Sequence, residues 1–114
     1  MNCIFCKIAA GEIPASRVYE DDEIVVFRDI HPKAPVHLLM IPRAHIDSMA
    51  QLEDEHAPTM GRMMVLARRL AQDHGSPDGF RVVINTGRVG RQEVYHLHAH
   101  LLGGPDPLGS AATF

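Results

Sequence analysis

The chain has 114 residues, 46% hydrophobic and 22% charged, which is typical of one globular domain that buries its own core. Its formal net charge of −3 lacks the basic excess of proteins that bind nucleic acid, so we expect no nucleic-acid partner. No apolar run approaches the roughly 18 residues of a membrane span, and residues 1–7 do not resemble a signal peptide, so we expect a cytoplasmic protein without a membrane partner.

Two helices and five strands are predicted along the chain. Glycine and proline mark their ends, since Gly11 closes the first helix and Pro42 stops a strand. In chain order they are a helix at residues 4–10, strands at 17–20, 24–27 and 36–41, a helix at about 53–74, and strands at 80–85 and 94–102. Because strands and helices do not alternate regularly, this order favours an antiparallel α+β sheet over a doubly wound parallel one.

One face of the long helix carries apolar side chains at spacings of three and four. The stripe consists of Met60, Met63, Met64, Ala67, Leu70 and Ala71. Methionine-rich surfaces sometimes bind partners, but at helical spacing a core-facing stripe is the favoured interpretation. A glycine-containing loop is predicted at residues 86–91, between the last two strands.

Histidine is unusually frequent, with 8 in 114 residues, and three of them alternate in the last predicted strand. Because alternate side chains of a strand share a face, His96, His98 and His100 are expected together, with Leu97 and Ala99 facing the core. Three adjacent imidazolium charges would repel one another, so the pattern predicts a functional site rather than packing. Imidazole can attack phosphorus, transfer protons or bind metal, and the residues alone leave these alternatives open.

The segment QEVYHLHAHLLGG at residues 92–104 resembles the signature of the histidine triad superfamily, and more narrowly its purine nucleoside phosphoramidase branch. Further segments that resemble family blocks, in family order, are IFCKI at 4–8, EIP at 12–14, FRDI at 27–30, APVH at 34–37 and IPRAHI at 41–46. The resemblance implies a five-stranded antiparallel sheet with two helices that continues across a homodimer. We therefore expect a single domain of residues 1–114, with an irregular tail at about 105–114.

The resemblance also implies a hydrolase that cleaves purine nucleoside 5′-phosphoramidates. His98 would attack the α-phosphorus and form a covalent nucleotidyl-histidine, which water then hydrolyses to the nucleoside monophosphate. His100 and His37 correspond to family histidines that stabilise the phosphate oxygens. Asn85 corresponds to an asparagine that contacts the ribose–phosphate region.

For the nucleoside, Asp29 matches a family carboxylate that accepts both ribose hydroxyls. The apolar pocket around the purine would be formed by Ile4, Phe5, Ile8, Phe27 and Ile30, for which plain core packing is the competing interpretation. Glu93 stands where eukaryotic members have a serine that helps the leaving group. Arg91 replaces a glycine, and Arg88 is nearby. The two arginines either lie over the phosphates, bind a longer and more acidic substrate, or are solvated loop residues.

Cys3 and Cys6 have a spacing that favours metal or redox chemistry in a reducing compartment, although the pair alone is a weak signal. Tetrahedral zinc needs two further ligands. In zinc-bearing relatives these are histidines that correspond to His45 and His96. We expect a structural zinc that joins the first helix to the active-site strand; the alternative is a thiol pair without metal.

Two other functions remain open. One is a dinucleoside polyphosphate hydrolase or nucleotidyl transferase, and the other is a zinc-stabilised nucleotide-binding module with little catalysis. Val94 and Tyr95 before the triad favour the phosphoramidase. The three histidines together with His37 and Asn85 favour an enzyme over a binding module.

Overall fold

The computed structural model describes residues 2–110, which form one antiparallel sheet and two helices. The strands are β1 Arg17–Glu20, β2 Ile24–Arg28, β3 Val36–Pro42, β4 Arg81–Val83 and β5 Ala99–Gly103. The helices are α1 Ile4–Ala9 and α2 Ala57–Asp73. The sheet order is β1-β2-β3-β5-β4 and each neighbouring pair is antiparallel. The predicted α+β architecture with five strands and two helices is confirmed.

The two helices cover opposite faces of the sheet. On one face, Ile24, Leu38 and Leu101 belong to a buried cluster that includes the inner side of α2. On the other face, Val25 and Leu39 pack against α1. Because both faces are covered, β2 and β3 are nearly continuous apolar runs rather than alternating ones.

The start and the stripe of the long helix differ from the prediction. The α-helix begins at Ala57 with a proline in its first turn, and residues 54–56 form a 3-10 turn before it. Most of the stripe is buried, and Leu66 joins it. Met64 was placed wrongly, since it is 41% exposed. It lies about 100° around the helix from the buried Met63, which turns its side chain towards solvent.

The last two strands are shorter than predicted. β4 covers three residues, and the ladder of β5 begins at Ala99, so residues 94–98 are not part of it. The carbonyl of Pro42, the last residue of β3, accepts a hydrogen bond from the His96 ring at 2.8 Å, while Pro42 lies opposite Ile24 in β2. The alternation nevertheless persists, because Leu97, Ala99 and Leu101 all lie in the core under α2.

The end of β5 is set by a close approach to the buried Ser76. The Ser76 hydroxyl accepts a hydrogen bond from the Gly104 N–H at 3.0 Å, and a Cβ atom at Gly103 would overlap that hydroxyl. After it, residues 105–110 contain no helix or strand, while residues 111–114 of the predicted tail lie outside the described part. Within residues 2–110, the helices lack the length and apolar character needed to cross a bilayer.

Candidate active site

A cavity of about 470 Å³ lies on the face of the sheet that carries α1. Its wall includes ten of the residues predicted for substrate binding or catalysis, namely Ile4, Phe5, Ile8, Phe27, Asp29, Ile30, Asn85, Glu93, His98 and His100. The remaining predicted residue, His37, is buried behind His100. Sequence reasoning did not assign Lys33, Leu39 or Val94 to this wall, because no motif distinguishes them from ordinary strand and loop residues.

His98 lies just before β5, buried against Phe5, with ring centroids 5.1 Å apart. Its Nδ1 is 2.8 Å from the carbonyl oxygen of His96. Because a carbonyl can only accept, Nδ1 must carry the proton and donate it. The lone pair of a neutral His98 is therefore on Nε2, the nitrogen that can act as a nucleophile.

His37 and His100 form a relay whose tautomers follow from one backbone group. The N–H of Lys33 donates to His37 Nδ1 at 3.0 Å, so the proton of a neutral His37 is on Nε2. That Nε2 donates to His100 Nδ1 at 2.9 Å. His100 therefore carries its own proton on Nε2 and can donate it to a ligand.

Both rings of the relay favour the neutral form. Burial, reinforced by neighbouring His98 and His37, lowers the pKa of His100 to about 4. Burial also lowers the pKa of His37. Protonation of His100 at Nδ1 would place two N–H groups against each other, so the geometry and the pKa agree. Near neutral pH, the relay offers a hydrogen-bond donor without a net charge.

Asp29 lies at the end of β2 beside this relay. Its Oδ1 accepts the N–H of His31 at 2.8 Å, and its Oδ2 is 3.4 Å from His37 Nε2. The potential metal-ligating atoms of Asp29, His37 and His100 lie within 4.8 Å of one another. The proton on His37 Nε2, however, would have to be lost for a metal to bind there, so these three residues suit hydrogen bonding better than metal ligation.

The apolar end of the cavity is formed by α1, β2 and the following loop. Phe5, Ile8 and Phe27 are buried, and the rings of Phe5 and Phe27 meet edge to face at 5.6 Å between centroids. Core packing explains these three side chains as well as a pocket wall does. Ile4 and Ile30 are 48% and 85% exposed, so packing does not account for them. Exposed isoleucines at a cavity suit an apolar ligand such as a base.

Four sulfur and nitrogen donors converge beside the cavity. They are Cys3 Sγ, Cys6 Sγ, His45 Nδ1 and His96 Nδ1, and they lie within 4.8 Å of one another. The Sγ–Nδ1 distances are 3.3 Å for Cys3–His96, 3.2 Å for Cys6–His45 and 3.5 Å for Cys6–His96. A tetrahedral zinc, with Zn–S about 2.3 Å and Zn–N about 2.0–2.1 Å, requires an S–N separation of about 3.6 Å. The donor set fits zinc.

The outer contacts of these histidines direct Nδ1 towards the centre. His45 Nε2 is 2.7 Å from the Asp47 carboxylate, and His96 Nε2 is 2.8 Å from the Pro42 carbonyl. Both Nε2 atoms therefore carry the proton and leave Nδ1 as a lone pair, the arrangement of metal-binding histidines. Burial and the neighbouring Cys3 raise the pKa of the Cys6 thiol to about 11, so a bound cation has to displace its proton.

The loop before β5 places Arg91 and Glu93 in the cavity wall, whereas Arg88 is exposed and outside that wall. Arg91 has φ +60°, the left-handed region that disfavours residues with a Cβ. Of the two arginines that the sequence left undecided, Arg91 lines the cavity and Arg88 does not.

The sequence is similar to a well-populated family. A family model described as "Scavenger mRNA decapping enzyme C-term binding" matches residues 2–111. Protein HitA of Neisseria gonorrhoeae is 57% identical over 104 residues, which are 91% of this chain and 97% of that protein. Purine nucleoside phosphoramidase of Escherichia coli K12 is 49% identical over 107 residues, 93% and 89% of the two chains. A 14 kDa zinc-binding protein of Brassica juncea is 46% identical over 105 residues, 90% and 93% of the two.

Solved structures give the same fold. A HIT family hydrolase of Legionella pneumophila superposes with a TM-score of 0.87 at 51% identity, covering 90% of this chain and 93% of that one. A histidine triad protein of Clostridium difficile has a TM-score of 0.90 at 43% identity, with 96% of each chain covered. A zinc-bound histidine triad family protein of Mycobacterium smegmatis has a TM-score of 0.79 at 33% identity, covering 91% and 76%.

Proposed function

Because the chain belongs to the histidine triad family of hydrolases, as the resemblance implied, we propose that it hydrolyses purine nucleoside 5′-phosphoramidates through a covalent nucleotidyl-histidine. The observation that carries the proposal is the tautomer of His98. Its Nδ1–H is held by the His96 carbonyl, which leaves Nε2 unprotonated beside His100 in a cavity that also has an apolar end. The relative named purine nucleoside phosphoramidase supports the substrate class.

In the first step, His98 Nε2 forms a bond to the α-phosphorus while the P–N bond breaks and the amine leaves with a proton. Glu93, in the cavity wall, is a candidate donor of that proton. The imidazole becomes cationic in the adduct, and the hydrogen bond from Nδ1 to the His96 carbonyl strengthens as it does so. In the second step, water attacks the phosphorus and gives a proton to the Glu93 carboxylate, the Nε2–P bond breaks, and the nucleoside monophosphate leaves.

The relay of His37 and His100 would stabilise the phosphoryl oxygens in both steps. His100 donates from Nε2 while its Nδ1 is held by His37, so the donor is already oriented before the charge develops. Asn85 lines the same wall and offers an amide donor. For the nucleoside, we propose that Asp29 accepts the ribose hydroxyls and that the apolar end holds the purine.

Zinc is the metal we propose for Cys3, Cys6, His45 and His96. It would supply structural ligation rather than chemistry on the substrate, because the four donors complete a tetrahedron. Phe5 lies between Cys3 and Cys6 in the sequence, and its side chain lines the cavity. Its ring packs against the rings of His96 and His98, with centroid distances of 6.0 and 5.1 Å. A metal that fixes the position of α1 would thus also fix this part of the cavity wall.

We also propose a homodimer, since β4 is an edge strand that a second copy could pair with.

The test compares hydrolysis of adenosine 5′-phosphoramidate with that of a dinucleoside polyphosphate by wild type, His98→Ala and His31→Ala. His31 is exposed and outside the cavity wall, so it is the matched histidine control. We expect His98→Ala to lose at least about 10³-fold in turnover, and His31→Ala to match wild type. Mass spectrometry of wild type denatured at neutral pH during turnover should detect a nucleotidyl adduct on residue 98.

Three results contradict the proposal. Near wild-type turnover by His98→Ala would show that His98 is not the nucleophile. A higher kcat/KM for the dinucleoside polyphosphate would favour the alternative hydrolase. Nucleotide binding without turnover would favour a binding module.

A further inference from the structure

We infer that Lys33 and Arg91 form a cationic subsite beside the catalytic histidines, which selects substrates whose leaving group carries an anionic group. The inference rests on the proposed function, because it specifies the chemistry of the amine that the same site releases. The anion can be a carboxylate or a second phosphate, since an ammonium and a guanidinium bind either.

Lys33 lies at the histidine end of the cavity. Its backbone N–H is bonded to His37 Nδ1 at 3.0 Å, and its side chain lines the cavity. Its positive charge also contributes to the lowered pKa values of His37 and His100, after burial. The ammonium therefore acts on the histidines beside which phosphate would bind.

Arg91 is held in an unfavourable backbone conformation by its neighbour. Gln92 is buried, its N–H donates to Gly87 O at 3.0 Å, and its Nε2 donates to the carbonyls of Asp47 and Val94 at 2.7 and 2.9 Å. These bonds fix the loop in a conformation in which Arg91 has a φ of +60°. Backbone strain of this kind persists where surrounding contacts impose it, and it concentrates at ligand-binding positions.

The two cations are available to a ligand. Among residues 2–110, neither Lys33 nor Arg91 takes part in an ion pair, whereas Arg17, Arg43 and Arg62 do. Two carboxylates, Asp29 and Glu93, line the same cavity, and Arg28 lines it together with Lys33 and Arg91. The carboxylates would repel an anion, but the three cationic side chains outnumber them.

The two ends of a substrate would meet different residues of the cavity lining. With the purine at the apolar end and the phosphorus beside His98, the leaving group would meet the polar lining residues, which include Arg91, Glu93 and Lys33. A neutral alkyl amine would leave both cations without a partner. An amine bearing an anion would be paired with them, and because Lys33 and Arg91 are exposed, added salt would weaken this pairing.

The test uses three adenosine 5′-phosphoramidates that differ in the amine: 3-aminopropanoate, 2-aminoethyl phosphate and neutral n-propylamine. The ratio of kcat/KM for each anionic substrate to that for the neutral one is measured in wild type, Lys33→Gln, Arg91→Gln and the double variant. Arg88→Gln is the matched control, since it removes the same charge from the same loop outside the cavity wall. All are measured at low and high salt.

We expect wild type to prefer at least one anionic substrate by about tenfold or more, with the preference reduced at high salt. Each single variant should lose part of the preference and the double variant most of it, while Arg88→Gln retains it. Preference for the aminopropanoate substrate alone would identify a carboxylate, and preference for the aminoethyl phosphate alone would identify a phosphate. Equal ratios in wild type and the double variant, or an equal loss in Arg88→Gln, would overturn the inference.

Failure of the proposed function gives a different result. In that case wild type cleaves none of the three substrates and residue 98 carries no adduct. Equilibrium binding of the same substrates to His98→Ala, by calorimetry, then reports the subsite independently of turnover. An anionic preference that disappears in the Lys33→Gln/Arg91→Gln background would support the subsite, and its absence would overturn it.

Discussion

Acidification should destabilise the fold through His100 in particular. Its pKa is about 4 in the folded protein, because of burial and the neighbouring His98 and His37, against 6.5 for an unperturbed histidine. The unfolded chain therefore binds more protons below pH 6.5, and the free energy of unfolding falls as pH falls. The contribution is fully present above pH 6.5 and lost progressively towards pH 4. Linkage gives a loss of about 2 kcal/mol between pH 7 and pH 5, and about 3 kcal/mol by pH 4.

The assay is urea unfolding of wild type and His100→Asn at pH 7, 6 and 5. Asparagine can still accept the hydrogen bond from His37 but does not titrate. Wild type should lose about 2 kcal/mol more than the variant between pH 7 and pH 5, and acid effects on groups that do not contact His100 cancel in the difference. His31→Asn, an exposed substitution, is the control and should follow wild type. Parallel curves for wild type and His100→Asn would refute the reasoning.

Three further predictions concern stability and metal. Gly103→Ala should destabilise by about 2 kcal/mol, because its Cβ would overlap the Ser76 hydroxyl; an unchanged Tm would contradict this. Arg91→Gly should stabilise by about 1 kcal/mol in urea unfolding, because glycine accepts φ +60°; a destabilised variant would show that contacts of Arg91 outweigh its strain. Cys3→Ser should bind far less zinc than wild type in protein purified without chelator, and a chelator should lower the Tm of wild type but not of the variant; a wild-type zinc content near zero would exclude the metal.

The faces of the sheet could be predicted from the sequence more reliably than the ends of its strands. Alternation correctly placed Leu97 and Ala99 in the core, because apolar side chains at a period of two report which face is buried. The ladder, by contrast, begins only at Ala99, and before it the ring of His96 bonds to the Pro42 carbonyl. That bond joins residues 54 positions apart, which a local pattern does not contain.

In the candidate site, too, some features could be predicted from the sequence and others depend on contacts between distant residues. The resemblance identified the residues that the structure gathers around one cavity, and it separated His96 from His98 and His100. The protonated nitrogen of each ring could not be predicted. It follows from a backbone partner for His37, His96 and His98, and from a side-chain partner for His45 and His100. Lys33 was missed altogether, since only the fold places its side chain in the cavity wall.

The sequence by itself therefore determined the fold class, the covered faces of the sheet and the chemical groups available for a site, because these depend on residue type and periodicity. The tertiary structure decided which groups meet and in which protonation state. Cys3 and His96 are 93 positions apart, yet their Sγ and Nδ1 atoms lie 3.3 Å apart. A hydrogen bond between distant segments requires the completed packing of both, and the same packing holds Arg91 in a conformation that its residue type disfavours.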